Sequence, residues 1–109
     1  MTNCANTPEP PYYAVIFTST MSGDDLVGYS ATADNMVTLA RQQDGFLGVD
    51  AAREDIGITV SYWRELDAIK ACKQQIEHMQ AQEQGRAIWY ADYSVRIARV
   101  EGAYIWESS

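Results

Sequence analysis

The sequence predicts an α+β fold in which a four-stranded antiparallel sheet carries two helices on one face. Three observations lead there. Several short runs rich in aromatic and branched residues alternate at period two, two stretches repeat apolar residues at three- and four-residue steps, and the segments follow the order strand, helix, strand, strand, helix, strand. At 109 residues, 47% hydrophobic and 21% charged, the chain has length for one core and the composition to bury it.

Residues Met1 to Pro11 hold three prolines and no apolar periodicity, so they read as an extended arm, with 12–109 as one domain. The run YYAVIFTST, from Tyr12 to Thr20, is the first strand. Tyr13, Val15 and Phe17 share one face and Tyr12, Ala14 and Ile16 the other, so both faces call for cover. Tyr29, Ala33, Met36, Val37 and Ala40 then recur at helical steps before Gly45, which predicts the first helix. FLGVDAARE and GITVSYWRE follow as a hairpin around DIG, with Gly57 placed to supply a left-handed turn angle.

A second helix is predicted from Glu65 or Leu66 to about Gly85, with Leu66, Ile69, Cys72, Ile76 and Met79 as its apolar stripe. AIWYADYSVRIARVEGAYIW returns to period two as a last strand with a tail reaching beyond its own domain. This order is the ferredoxin-like βαββαβ arrangement. Its helices cover one sheet face, and the apolar residues on both faces of the first strand predict that a second copy covers the other.

Fifteen acidic against eight basic residues give a net charge of −7, which repels phosphate backbones and anionic headgroups and disfavours nucleic-acid and membrane partners. No apolar run has the length of a spanning helix, and MTNCANTPEPPYY lacks the basic and apolar parts of a signal peptide, so a cytoplasmic location is expected. Cys4 and Cys72 have neither zinc-site nor redox-motif spacing, and Cys72 reads first as a small buried hydrophobe.

GFLGVDAARE, GITVSYW, DAIKACKQQIEH and GRAIWYADYSVRIARVE, in this order and spacing, resemble the antibiotic biosynthesis monooxygenase (ABM) domain family of the dimeric α+β barrel group. The likeness covers nearly the whole chain after Pro11. It implies a homodimer whose two sheets form a barrel, with an apolar cavity in each subunit between helices and sheet. For activity it implies cofactor-independent oxygenation of a small aromatic or polycyclic phenolic substrate. A non-catalytic binding or stress-associated module for a hydrophobic metabolite or haem is the alternative. In the haem-degrading branch the working set is an asparagine on the first strand, a tryptophan in the second helix and a histidine further along. Here the helical position matches Cys72, the first strand offers Phe17, Thr18 and Ser19, and His78 alone survives. Two of the three positions depart from that branch.

An oxygenase without a cofactor takes its electrons from the substrate, so the protein must hold an aromatic anion, help remove its proton and exclude water. Tyr62, Trp63, Trp89, Tyr90 and Tyr93 fall in strand segments and offer aromatic walls, although core and interface packing explains any single ring as simply. Trp63 and Tyr93 lead as pocket residues because Ser61 and Arg96 lie beside them; Tyr62, Trp89 and Cys72 complete the candidate pocket. His78, the lone histidine, titrates in the range a base needs, yet a straight helix sets it opposite Ile69 unless the register changes near Gln75.

Arg53, Arg64, Arg86, Arg96 and Arg99 are able to hold a carboxylate or phenolate, with surface pairing to acidic neighbours as the plainer role. Asp50 and Asp92 lie in strand patterns, where a buried carboxylate with a raised pKa would serve as a base, with a turn-proximal or strand-edge placement as the plainer reading for both. There is no phosphate-cradling glycine loop, no nucleophile elbow and no histidine pair, so neither cofactor nor metal is expected.

Overall fold

The computed structural model describes residues 4–21, 37–83 and 90–107, without the side chains of 77–91. β1 runs Tyr12–Met21, β2 Phe46–Arg53, β3 Gly57–Trp63 and β4 Tyr90–Val100. Residues 37–41 are helical (α1) and Leu66–Glu83 forms α2. All three strand pairs are antiparallel and the sheet order is β2-β3-β1-β4, the ferredoxin-like arrangement the element order predicts. Tyr29, Ala33 and Met36 of the predicted first helix lie outside the described residues.

β1 occupies the sheet centre, and its alternation sorts the side chains. On the helix side, Tyr13 stands opposite Trp63 of β3 and Arg99 of β4, Val15 opposite Ser61 and Ile97, Phe17 opposite Thr59 and Val95, and Ser19 opposite Gly57 and Tyr93. Phe46 extends the Trp63 row onto β2, and Arg53 extends the Gly57 row. The helix side is thus a ladder of four rows.

α2 packs on one end of that ladder. Trp63, Ala68, Ile69 and Cys72 form the buried cluster, with Tyr13, Val15, Ala40, Phe46 and Ile76 against it. The indole meets Phe46 edge to face at 5.3 Å and donates to Ser61 Oγ at 2.9 Å, so its polar N–H is satisfied inside the core. Leu66, expected in the apolar stripe, is 50% exposed, and Ala68 is buried in its place. With Cys72 and Ile76 against the sheet, the 100° step per residue brings Ala68 inside the contact and turns Leu66 out of it.

The left-handed glycine is Gly45, at φ 93°, and not Gly57, which is the first residue of β3. Gly45 ends the α1 turn, accepts a bond from Arg64 N at 2.7 Å, and passes so near α2 that a Cβ there would stand 3.0 Å from Ala68 Cβ. The loop between β2 and β3 is Glu54 to Ile56, one residue earlier than DIG. No helix among the described residues is long and apolar enough to cross a membrane.

Trp63→Ala should cost roughly 3–5 kcal/mol through the cavity it leaves, whereas Leu66→Ala should stay within about 0.5 kcal/mol, as surface truncations do. Urea unfolding of both variants checks the orientation of α2; a reversal of the two values would contradict it.

Candidate functional site

The far end of the helix-side face carries the polar chemistry. Arg53, Gly57, Ser19 and Tyr93 stand in one row across β2, β3, β1 and β4. Arg53 Nη2 donates to Ser19 Oγ, and it reaches that oxygen by crossing β3 at Gly57, where any Cβ would overlap the guanidinium. Ser19 is 1% exposed. A serine so buried in an apolar strand needs a partner, and the arginine supplies it. Beside this pair, Phe17 and Tyr93 stack at 5.4 Å between ring centroids and 23° between planes. Neighbouring strands lie roughly 5 Å apart, so the guanidinium held at Ser19 on β1 is one strand away from the Tyr93 ring on β4. Cation and aromatic surface therefore occupy the same end of the face, over the small side chains of Ala51 and Thr59 in the next row.

The residues singled out in the sequence are distributed over three places. Trp63 and Cys72 are together in the α2 core, at 3% and 4% exposure. Burial pushes the Cys72 thiol above its ordinary pKa, which keeps it protonated and makes it a packing residue. Tyr93 shares their face but lies in the row six residues further along β1, roughly 20 Å away at about 3.4 Å per residue. Tyr62 and Arg96 project from the opposite face: Tyr62 pairs with Ala14, and Arg96 pairs with Ile16 and donates to Ser94 Oγ at 3.0 Å. Ser61 is beside Trp63 on the helix side, but Arg96 faces away from Tyr93 and Tyr93 lies at the other end, so the four do not form one pocket. His78 belongs to α2, which is helical without a break through Gln75; its side chain lies outside the described residues. Trp89 lies outside them altogether.

Sequence reasoning passed over Ser19, Gly57 and Phe17 as a site. Period two puts Ser19 in phase with Phe17, a signal that a polar group faces inward, but Arg53 is 34 positions away and joins it only through the hairpin register.

On the other face the N-terminal arm lies over the sheet. Ala5 N donates to Asp50 Oδ1 at 2.7 Å, Tyr62 donates to Asp50 Oδ2 at 2.8 Å, and Thr7 Oγ1 and the Tyr12 hydroxyl are 2.8 Å apart. Tyr12 meets Tyr62 edge to face at 5.9 Å, and a Cβ at Gly48 would come within 3.2 Å of Ala5 Cβ. The chain's own arm thus lies over this end of the face, where Tyr12 and Ala14 are buried. Asp92, on the same face, accepts from Thr20 Oγ1 at 2.8 Å. Among the described residues no group of three or more His, Cys, Asp and Glu side chains is placed to hold a metal.

No protein-family profile matches the chain. It is 54% identical over 99 residues to the uncharacterized protein YqjZ of Bacillus subtilis (strain 168), covering 89% of this chain and 86% of that protein. The chain belongs to the YqjZ family. Among solved structures, this YqjZ relative has the fold of SnoaB, a cofactor-independent oxygenase from Streptomyces nogalater, with a TM-score of 0.64 and 13% identity over 88% of this chain and 97% of SnoaB. Rv0793 from Mycobacterium tuberculosis has the same fold, at a TM-score of 0.66 and 19% identity over 90% and 99% of the two chains. The fold is therefore that of the ABM-like α+β proteins.

Burial and the bond to Asp50, whose charge opposes a second negative charge beside it, push the Tyr62 phenol up to about 12. The folded state holds this proton more tightly than the unfolded chain, where tyrosine titrates near 10. Its contribution to stability is whole below about pH 10 and is lost as pH rises toward about 12. Urea unfolding at about pH 9 and about pH 11.5 should therefore show a larger loss for the parent protein than for Tyr62→Phe. Equal losses would place the tyrosine in solvent.

Proposed function

We propose that the chain is a homodimeric monooxygenase of small aromatic or polycyclic phenolic substrates, working without metal, flavin or haem. The observation that carries this reading is the Phe17–Tyr93 stack on the helix-side face of the sheet, at the end away from the α2 core, an apolar aromatic wall with Arg53 and Ser19 beside it. The shared fold with SnoaB supports it at the level of architecture. In the reaction a doubly activated CH₂ of the substrate loses a proton, the carbanion reduces O₂, and the hydroperoxide formed loses water to leave a carbonyl. One oxygen atom enters the product and the other leaves as water with the two hydrogens. The protein's part is to bind the planar ring, keep water out and stabilise the anion from which the electrons come. Proton removal falls to a group outside the Arg53 row.

The dimer is supported by the surface of β4 and the tail. Val95 and Ile97 on this edge strand are 51% and 55% exposed, and Tyr104, Ile105 and Trp106 beyond it are 95%, 48% and 79% exposed. Apolar surface of that extent on one strand and its continuation is what a second copy would cover.

Cys72 favours a second reading. It occupies, inside the core, the helical position matched to the tryptophan of the haem-degrading branch, which accords with a binding module for a hydrophobic metabolite or haem that performs no turnover.

Oxygen uptake with an anthrone and naphthol panel separates the two. The expected result is one O₂ consumed per substrate oxidised, falling about tenfold or more in Tyr93→Ala, the loss that goes with an aromatic contact and the order it imposes. Saturable binding without uptake would replace the oxygenase reading with the carrier. Light scattering should give twice the monomer mass at micromolar protein; a monomer there would remove the dimer.

A further inference from the structure

We infer that the hydroxyls of Ser61 and Thr59 are the donors that hold a ligand's keto or phenolate oxygen on the helix-side face, so that planar aromatics carrying an acceptor oxygen are bound in preference to hydrocarbons of the same shape. The inference deepens the oxygenase reading, which it uses for the class of ligand and not for turnover.

β3 lies between β2 and β1, and its helix-side residues are Gly57, Thr59, Ser61 and Trp63 in succession. Trp63 belongs to the core under α2 and Gly57 is crossed by Arg53, so Thr59 and Ser61 are the side chains of β3 between those two ends. Both are polar in an apolar frame. Val15 and Val49 flank Ser61 in its row, and Phe17 and Ala51 flank Thr59. The two hydroxyl residues are half-buried and Ala51 is exposed, which leaves the face open over Ala51. Residues two apart on one strand face stand roughly 7 Å from each other, near enough for one ring system to meet both.

The fate of the two protons decides the chemistry. Ser61 Oγ accepts the Trp63 indole N–H at 2.9 Å, which fixes the oxygen and occupies one of its lone pairs. Its own proton has no acceptor among the described residues, and the cluster beside it, Trp63, Ala68, Ile69 and Cys72, offers no side-chain oxygen. An O–H that already accepts a hydrogen bond is polarised into a better donor, so Ser61 favours an acceptor on the ligand. The Thr59 hydroxyl has no hydrogen-bond partner among the described residues. A few fixed polar groups in apolar surroundings are what orients a ligand in a pocket. Because both donors are neutral, a neutral ketone meets no repulsion from the net charge of −7.

The test is equilibrium dialysis of the full-length protein against 9-fluorenone and fluorene, planar tricyclics that differ at one position, C=O against CH₂, together with the infrared stretch of the bound, ¹³C-labelled carbonyl. Fluorenone carries no acidic C–H, so its binding is read apart from turnover. The bound carbonyl stretch should lie below its value in an alkane. Ser61→Ala should raise it and weaken fluorenone by about threefold to tenfold, the loss of one neutral hydrogen bond, while fluorene stays within about twofold. Thr59→Val, which keeps the side chain's shape, should act in the same direction. Ser61→Thr should retain both the lowered stretch and the affinity, which separates the donor from its packing, since Ser61→Ala also strips the Trp63 N–H of its acceptor. Thermal unfolding reports whether each variant is folded, and Thr59→Val, outside the α2 core, keeps the test decisive if Ser61→Ala is not. A bound carbonyl at its alkane value, folded Thr59→Val and Ser61→Ala variants that bind fluorenone as the parent does, equal losses for fluorene and fluorenone, or no saturable binding of either would each overturn the inference. A lowered stretch that the variants raise, without oxygen uptake across the anthrone and naphthol panel, would keep this inference and remove the oxygenase reading; uptake with an unshifted fluorenone carbonyl would do the reverse.

Discussion

The register of β1 between β3 and β4 is the constraint on which everything else depends. Because side chains alternate strictly along a strand, fixing Tyr13 opposite Trp63 and Arg99 also fixes Ser19 opposite Gly57 and Tyr93 six residues later. One end of the helix side is then committed to the core under α2 and the other to the Arg53, Ser19 and Tyr93 row. A slip by one residue would exchange the two faces. It would put Tyr12, Ala14 and Ile16 beneath the helices and strand the buried serine in water, so the hydrophobic core and the polar row enforce the same register.

The two faces of the sheet solve different problems. On the helix side Trp63, Ala68, Ile69 and Cys72 provide apolar packing, and the indole N–H is satisfied by Ser61. On the other side Asp50 gathers the arm and Tyr62, which ties residues ahead of β1 to β2 and β3. The arm lies over the Tyr12 and Ala14 end, while Ile58, further along the same face, is 45% exposed. Among the described residues the exposed large apolar side chains lie mostly on β4 and its tail.

The fold was legible because its signals are local: period two in YYAVIFTST and GITVSYW, helical steps through Ile69, Cys72 and Ile76, and the glycine at the α1 end. Cys72 read as a small buried hydrophobe and packs as one. The candidate pocket was less legible, because residues were grouped by segment when strands sort them by face. Tyr62 and Trp63 are adjacent and Tyr93 and Arg96 three apart, odd separations that put each pair on opposite faces. The pairing of Ser19 with Arg53 escaped for the converse reason. Their contact depends on the length of the Glu54–Ile56 loop, which sets which residue of β2 opposes Gly57, and the expected turn was displaced by one residue.

The most direct test of the site's location is the map of backbone amide shifts when 2-naphthoate is titrated into uniformly ¹⁵N-labelled protein. The account predicts shifts concentrated at Phe17, Ser19, Arg53, Gly57 and Tyr93, with Trp63, Ala68 and Cys72 unmoved. Shifts clustered instead at the Trp63 end, or on the Tyr12 and Tyr62 face beneath the arm, would contradict it.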